Sequence, residues 1–172
     1  MIPHKGTDIL ISAIPAVTKS LPNARFLIVG DGPERGSLEK LADQLGIRAC
    51  CVFTGVQTND QLVRIFHSMD VLCLPSRVEP FGMVILEAWA CQKPVVATRQ
   101  GGPSWFVSDG VDGLLVDIES SSMASGLVRL LESPALSSQL GAAGRSKVEA
   151  RFTYDKVAES TVAVYREGSE AP

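Results

Sequence analysis

The sequence predicts an α/β fold that is doubly wound around a mainly parallel sheet. Short apolar runs recur along the chain without polar alternation, as is typical of parallel strands that are covered on both faces. Helical periodicities separate these runs, and regular alternation of strand and helix is typical of this class. The predicted strands are residues 26–29, 51–53, 71–74, 95–97 and 114–116.

The chain is predicted to open on a helix that begins by residue 7. Its apolar stripe contains Leu10, Ile14, Val17 and Leu21, and Pro15 lies within the stripe. Because proline lacks a backbone donor and collides with the preceding turn, we expect this helix to be kinked or split. An α/β fold normally begins on a strand, so we expect the sequence to start inside a longer protein.

Further helices are indicated by apolar spacing and by residues typical of helix ends. Residues 33–45 carry Pro33 in a first turn and are followed by Gly46 as a C-terminal cap. The T-N-D-Q run at 58–61 is typical of a capping box that opens the next helix. Another helix is predicted to begin near Gly82. After Pro134 the chain shows helical patterns alone, and the last of them covers 153–167.

Composition excludes several classes of protein. The length of 172 residues suits one domain. The chain has 16 Lys and Arg residues against 19 Asp and Glu, a net charge of −3, which argues against a nucleic-acid binder or a polybasic membrane patch. No apolar run approaches the roughly 18 residues of a membrane span, and no signal peptide is visible.

The cysteine and histidine content predicts no metal site. The 4 cysteines form no C-x-x-C pair, and 2 histidines are present. We interpret the cysteines as buried or incidental reduced thiols, which suits a reducing cytoplasm.

A glycine-rich turn at residues 30–36 lies in the context of a dinucleotide-binding site, between a predicted strand and a predicted helix. Its spacing departs from G-x-G-x-x-G, and the strand that follows carries no carboxylate at its end. A tight turn between strand and helix is therefore favoured over a nicotinamide or flavin site.

A second segment, residues 75–87, combines two glutamates with a helix start. Free backbone N–H groups at a helix start attract anions, and Gly82 allows a phosphate to approach closely. Glu87 lies five residues further, about 7.5 Å along the axis, where it could accept hydrogen bonds from ribose hydroxyls. Glu79 precedes the helix, towards the far phosphate. On spacing alone, Glu79 as a helix-start acid and Glu87 as a solvated charge explain the pattern equally well.

The run E-P-F-G-M-V-I-L-E resembles the E-x7-E signature of retaining GT-B glycosyltransferases of family 4. Other segments are also similar to that family: K-G-T-D-I-L at 5–10, F-L-I-V-G-D-G-P at 26–33, F-T-G-V at 53–56, M-D-V-L-C-L-P-S at 69–76, A-W-A-C-Q-K-P-V-V-A-T at 88–98, G-G at 101–102 and D-G-V-D-G-L-L-V at 109–116. The resemblance covers nearly the whole chain and is to the Rossmann-like C-terminal half of the GT-B fold, which binds the nucleotide sugar.

The resemblance implies a catalytic role for Glu79 at the donor sugar. It implies that Glu87 contacts the ribose and Lys5 the distal phosphate. The other implied donor-binding positions act largely through the backbone, at the base pocket and at the phosphates: Val56, Phe81, Gly82, Met83 and Val84.

The resemblance further implies that residues 1–172 form one donor-binding domain of a hexosyltransferase whose N-terminal acceptor domain is absent. The donor would be UDP-, GDP- or ADP-linked, with no metal or other cofactor, and no nucleic-acid partner. The enzyme would be cytoplasmic and could be peripheral to a membrane, and this chain alone would be inactive. Two alternatives remain open: a non-catalytic nucleotide-sugar-binding or interaction module, and another GT-B-type enzyme such as a sugar-nucleotide epimerase.

The resemblance also implies that the last helix crosses to the other domain, so its stripe of Val157, Thr161, Val164 and Tyr165 is expected to be poorly buried here. The sequence departs from the family pattern in several places. Trp89 replaces a usual methionine, the segment 101–105 lacks a common acidic residue, and the arginine that precedes the family's lysine is not included. We interpret His67 and Trp105 as packing residues.

Overall fold

The structure is a computed structural model that describes residues 1–169, with side chains through residue 166. It confirms an α/β fold with parallel strands. The strands are β1 (Phe26–Val29), β2 (Cys51–Gly55), β3 (Leu72–Leu74), β4 (Val95–Thr98) and β5 (Leu114–Val116). The helices are α1 (Thr7–Ser20), α2 (Arg35–Gln44), α3 (Asn59–Ser68), α4 (Met83–Ala90), α5 (Pro103–Phe106), α6 (Ser120–Leu131), α7 (Pro134–Arg151) and α8 (Tyr154–Ser169).

The five strands form two parallel sheets rather than one. β1 pairs with β2, and β3, β4 and β5 pair in that order, with Leu74 of β3 opposite Ala97 of β4. The predicted fold class is confirmed, and the described strands are divided between these two parallel sheets. Strand pairing is a non-local property, so the apolar runs that locate strands do not say which edges meet.

Helices α1 and α6 hold the two sheets together. Ile11, Ile14 and Val17 of α1 pack with Met123 and Leu127 of α6 in one apolar cluster, which also includes residues of β1, β2, β4 and β5. A second cluster surrounds Trp89, which is fully buried. Full burial of each such side chain contributes about 1.5–3 kcal/mol, so these clusters are the main source of stability.

Helix α1 runs unbroken through Pro15, so the predicted split was wrong. Proline removes one hydrogen bond of the helix, but the neighbouring residues Ile11, Ala13, Ile14 and Val17 are almost completely buried. Their burial outweighs the loss of one bond whose net contribution is about 1 kcal/mol.

Two predicted helix starts differ in detail from the structure. α2 begins at Arg35, two residues after the predicted start at Pro33. Thr58 is the N-cap of α3 as predicted, but its side chain makes no capping hydrogen bond. The amide of Gln61 instead donates to the backbone carbonyl of Thr58, so the predicted capping box does not form.

The expectation that all strands are covered on both faces holds for β4, whose four residues are buried. It was wrong for β1 and β2. Leu27, Val29 and Val52 are 48%, 38% and 52% exposed, while the alternate residues Phe26 and Ile28 are buried. Within the described residues, this face of the two-stranded sheet is left largely open.

Helix α8 confirms the expectation for the last predicted helix. Its side chains are exposed from Tyr154 to Arg166, and Val157, Val164 and Tyr165 are 51%, 65% and 73% exposed. Across the described part of the chain, no helix is both long enough and apolar enough to span a bilayer.

Candidate functional site

The candidate site lies at the carboxyl end of the three-stranded sheet. β3 leads into residues 75–82, which we call the glutamate loop, and this loop leads into α4. β4, the parallel neighbour of β3, ends at Thr98 and leads into the turn that contains Gly101. The carboxyl ends of parallel strands meet at one edge of a sheet, where α/β proteins form their ligand crevices.

Lys5 and Glu79, which the resemblance assigns to neighbouring parts of one ligand, contact each other directly. Lys5 Nζ donates a hydrogen bond to Oε2 of Glu79 at 2.8 Å. The Glu79 side chain is 9% exposed, whereas that of Lys5 is 47% exposed. The pair therefore joins a buried carboxylate to a cation that still reaches solvent and can be shared with an incoming anion.

Arg77 connects the glutamate loop, through hydrogen bonds, with the N-terminal segment that contains Lys5. Its guanidinium donates hydrogen bonds to both carboxylate oxygens of Asp8 and to the carbonyl of Pro3. Its backbone amide donates to the carbonyl of His4. The Arg77 hydrogen bonds lower the pKa of Asp8 below its ordinary value, so this contact is an ion pair at neutral pH.

Two buried hydroxyl groups support Glu79. Ser76 Oγ donates a hydrogen bond to Oε2 of Glu79 at 3.1 Å. The hydroxyl of Thr98 donates to the backbone carbonyl of Ser76. Ser76 is 0% exposed and Thr98 is 1% exposed. Neither residue was predicted for the site, because a single hydroxyl residue at a strand end carries no distinguishing sequence pattern.

Gly6 and Gly101 both lie in close contact with the backbone of the glutamate loop. A Cβ atom at Gly6 would lie 2.0 Å from the carbonyl oxygen of Pro75, and one at Gly101 would lie 2.2 Å from that of Glu79. Both glycines have positive φ angles, +62° and +58°. Side chains at either position would push the loop away, so these contacts explain two of the glycines in the family-like segments.

Helix α4 begins at Met83 with Gly82 as its N-cap, which confirms the predicted start near Gly82. No side chain caps this end. Within residues 1–169, the amides of Met83 and Val84 donate no hydrogen bond. Free amides and the positive end of the helix dipole together make this helix start suitable for an anion.

Glu87 lies on the exposed side of α4, four residues after Met83, which is about 6 Å along the axis. This spacing places it on the same face of the helix as Met83, which is 58% exposed. Among residues 1–166, no side chain forms an ion pair with its carboxylate. The carboxylate is thus available to a ligand that lies along this helix face.

The aromatic residues near the site divide into packed and exposed groups. Phe81 stacks on Phe106, with ring centroids 5.1 Å apart, and meets the edge of Phe152. Trp105 is 80% exposed and His67 is also exposed, so the interpretation of these two as packing residues was wrong. Both lie on outward faces of their helices.

The structure brings the predicted residues together to different degrees. Lys5 and Glu79 are in direct contact, and Gly82, Met83, Val84 and Glu87 follow on the same loop and helix. Val56 follows β2 in the other sheet and is 66% exposed. Among the described residues, no hydrogen bond or ion pair links it to this group.

Residues 1–166 contain no group of three or more His, Cys, Asp or Glu side chains that could hold a metal ion. The prediction that the reaction needs no metal concerns the enzyme with its substrate bound, and it stays a prediction.

Known proteins resemble this chain along nearly all of its length. Residues 1–147 match the glycosyl transferases group 1 family. The lipopolysaccharide core biosynthesis glycosyltransferase LpsD of Rhizobium meliloti is 35% identical over 168 residues, which cover 97% of this chain and 47% of LpsD. A GDP-mannose-dependent alpha-(1-6)-phosphatidylinositol monomannoside mannosyltransferase of Mycolicibacterium smegmatis is 36% identical over 153 residues, 84% of this chain and 40% of that protein.

A solved structure shares the fold. Anabaena Alr3699/HepE in complex with UDP-glucose superimposes with a TM-score of 0.84 at 28% identity, over 95% of this chain and 46% of HepE. The chain therefore spans less than half the length of each of these three proteins. The two curated relatives are glycosyltransferases, so the sugar-nucleotide epimerase alternative has no support.

Proposed function

The chain belongs to the glycosyl transferases group 1 family, and on that premise we propose that it is the nucleotide-sugar-binding half of a retaining glycosyltransferase of GT-B fold and family 4 type. The parent enzyme would move a hexose from a nucleoside diphosphate sugar to an acceptor. The acceptor would be bound by a preceding domain that residues 1–172 do not include. On their own, these residues are expected to transfer no sugar.

The observation that carries the proposal is the position of Glu79 beside an uncapped helix start. A Cβ atom at Gly82 would lie 3.6 Å from Cγ of Glu79, so the carboxylate side chain packs against the N-cap of α4. A diphosphate bound at the free amides of Met83 and Val84 would be stabilised by hydrogen bonds and by the helix dipole. A sugar attached to its distal phosphate would then lie towards Glu79.

Glu87 supports the same orientation of the ligand. It lies one turn into α4 on an exposed face and has a free carboxylate, which suits hydrogen bonds from ribose hydroxyls. The order along the loop and helix is thus Glu79 for the sugar, the helix start for the diphosphate and Glu87 for the ribose. Val56, directly after β2, is assigned to the base.

In the proposed reaction, the bond between C1 of the sugar and the distal phosphate oxygen breaks, and the acceptor oxygen bonds to C1 on the same face. The nucleoside diphosphate leaves with the electron pair of the broken bond, and the proton of the acceptor hydroxyl passes to its distal phosphate. Lys5 and the amides of Met83 and Val84 would stabilise the negative charge of the leaving diphosphate, while Glu79 holds the sugar by hydrogen bonds. Catalysis would thus rest on positioning and on electrostatic stabilisation of the leaving group.

The proposal retains two further predictions. Neither a metal nor another cofactor takes part, and the enzyme is cytoplasmic. The second is supported by the cysteines at 50, 51, 73 and 91, all of which are free thiols.

The proposal is tested by calorimetric titration of the chain and its variants with UDP and UDP-glucose, and with GDP and GDP-mannose. Glu87→Ala should weaken the free diphosphate and the nucleotide sugar alike, by about 1.5–3 kcal/mol, which is roughly tenfold to hundredfold. Glu79→Ala should weaken the nucleotide sugar and spare the free diphosphate. The matched control is Glu132→Ala, at the far end of α6, which should change neither affinity.

Circular dichroism of each variant establishes that it is folded. Equal and small effects of Glu79→Ala and Glu87→Ala on both ligands would contradict the assigned roles. Failure of the unmodified chain to bind these two pairs of ligands, and also ADP and ADP-glucose, would contradict the proposal as a whole.

A further inference from the structure

We propose that Ser76 is a positioning residue, which keeps the carboxylate of Glu79 in place when Lys5 turns to the diphosphate of the donor. This inference rests on the proposed function, because it concerns the residue that we assign to the donor sugar.

The first support is the distribution of hydrogen bonds over the two carboxylate oxygens of Glu79. Oε2 accepts from both Lys5 Nζ, at 2.8 Å, and Ser76 Oγ, at 3.1 Å. Among residues 1–166, no group donates to Oε1. One oxygen is therefore held by the protein, and the other remains as the acceptor for a hydroxyl of the ligand.

The second support is the contrast between the two donors. The Lys5 side chain is 47% exposed and carries a mobile charge that a diphosphate attracts. Ser76 is 0% exposed, so its hydroxyl cannot move to a ligand in solvent. When Lys5 binds phosphate, Ser76 is the donor that stays with Oε2.

The third support is the way in which Ser76 is itself fixed. The hydroxyl of Thr98, the last residue of β4, donates to the carbonyl of Ser76, and both residues are almost completely buried. This hydrogen bond thus fixes the backbone of Ser76 relative to the end of β4, a fully buried strand. A carboxylate that is 7% exposed has lost most of its solvation, and a hydrogen bond from a fixed donor offsets part of that loss and keeps the side chain ordered.

A positioning role and a packing role make different predictions. A hydroxyl that only packs the loop would affect the fold and both ligands alike. A hydroxyl that orients Glu79 acts on the ligand that Glu79 contacts, which is the nucleotide sugar. Its effect must also disappear when the Glu79 carboxylate is removed.

The experiment is a double-mutant cycle, measured by calorimetry on the whole chain with UDP and UDP-glucose, or with GDP and GDP-mannose if that pair binds more tightly. Ser76→Ala should weaken the nucleotide sugar about fivefold to tenfold and change the free diphosphate less than about twofold. In the Glu79→Ala background, Ser76→Ala should cause no further loss. Ser76→Thr, which retains the hydroxyl, should restore most of the affinity for the nucleotide sugar.

Two further variants keep the result interpretable. Ser76→Cys keeps the size of the side chain but donates weakly, and it replaces Ser76→Ala if that variant does not fold. Ser137→Ala removes another hydroxyl that donates to a carbonyl, that of Leu130 between α7 and α6, and should change neither affinity.

Equal weakening of both ligands by Ser76→Ala, or an undiminished effect in the Glu79→Ala background, would overturn the positioning role. No weakening at all would overturn it too. The proposed function fails separately, when Glu79→Ala itself does not discriminate between the diphosphate and the nucleotide sugar.

Discussion

Arg77 binds Asp8 through two parallel hydrogen bonds, with Nη1 at 2.7 Å from Oδ1 and Nη2 at 2.6 Å from Oδ2. Arg77 belongs to the loop that carries Glu79, and Asp8 lies in the first turn of α1, three residues after Lys5. The pair therefore joins the segment that carries Lys5 to the loop that carries Glu79. Bidentate arginine–carboxylate pairs restrict orientation more than a lysine contact does.

Asp8→Asn should reduce stability at neutral pH and have little effect in acid. Hydrogen bonding from Arg77 lowers the pKa of Asp8 below its ordinary value of 3.8, so the contribution of the pair is complete above about pH 4. It is lost as the pH falls through the lowered value in the folded state. Both side chains are about 40% exposed, so the expected contribution is below about 1 kcal/mol.

Urea unfolding of the unmodified chain and Asp8→Asn between pH 7 and pH 3 measures this difference. Glu149→Gln, which breaks the exposed pair of Arg145 and Glu149 within α7, is the control for loss of an ordinary surface ion pair. A stability difference that grows as the pH falls would have the wrong sign and would refute the explanation.

Gly101→Ala should destabilise the protein by about 1–3 kcal/mol and impair binding of the nucleotide sugar. The added Cβ would lie 2.2 Å from the backbone oxygen of Glu79, and φ is +58°. Two control substitutions separate the causes. Gly46→Ala has a similar φ of +69° but open space, and Gly36→Ala lies in α2 with open space and no positive φ.

Thermal unfolding of the three glycine variants should rank them in order of loss, with Gly101→Ala the largest, Gly46→Ala intermediate and Gly36→Ala neutral or stabilising. If Gly46→Ala were as damaging as Gly101→Ala, strain rather than contact with the glutamate loop would be the cause.

Lys5→Met should weaken UDP about tenfold and leave UMP unchanged, because we assign Lys5 to the distal phosphate, which UMP lacks. The effect on UDP should decrease as salt is added, since a half-exposed charge is screened. Calorimetry at two salt concentrations measures both. Lys19→Met, an exposed lysine at the other end of α1, is the matched control. An equal loss of affinity for UMP would contradict the assignment of Lys5 to the distal phosphate.

Cys51 and Cys73 should resist alkylation in the folded protein. Burial raises the pKa of each thiol to about 12, so at pH 8 about one thiol in ten thousand is the reactive thiolate. Mass spectrometry after brief treatment with iodoacetamide should find Cys50 and Cys91 modified first, and all four modified in urea. Rapid labelling of Cys73 in the native protein would contradict the raised pKa of its thiol.

Local patterns in the sequence were sufficient to predict the positions of the strands and the start of α4. Each strand is a short apolar run, and Gly82 follows the E-P-F segment directly. Helix α6 was not predicted, because the run of serines at its start obscures the apolar face that packs on α1. The division into two sheets depends on which strand edges pair, which a local pattern does not contain.

The candidate site could be predicted from the sequence at Glu79 and Glu87 through the E-x7-E resemblance, where spacing alone left both interpretations open, and their roles stay predictions. It was not predictable at Ser76 and Thr98, whose hydroxyls act through distances that arise when β3 and β4 pair. The exposure of Trp105 was missed for a related reason. α5 has four residues, too few to display the periodicity that separates an inward from an outward face.

Main-chain contacts hold the glutamate loop in position. Gly6 contacts the carbonyl of Pro75, and Gly101 contacts the carbonyl of Glu79. Such contacts do not depend on which side chains the loop carries. Val78, between the two contacted carbonyls, and Pro80, directly after the second, are exposed. Substitutions there can alter the shape and polarity that a sugar encounters while the backbone under Glu79 stays fixed. The selectivity for a donor sugar can therefore change during evolution while the position of the Glu79 backbone is retained.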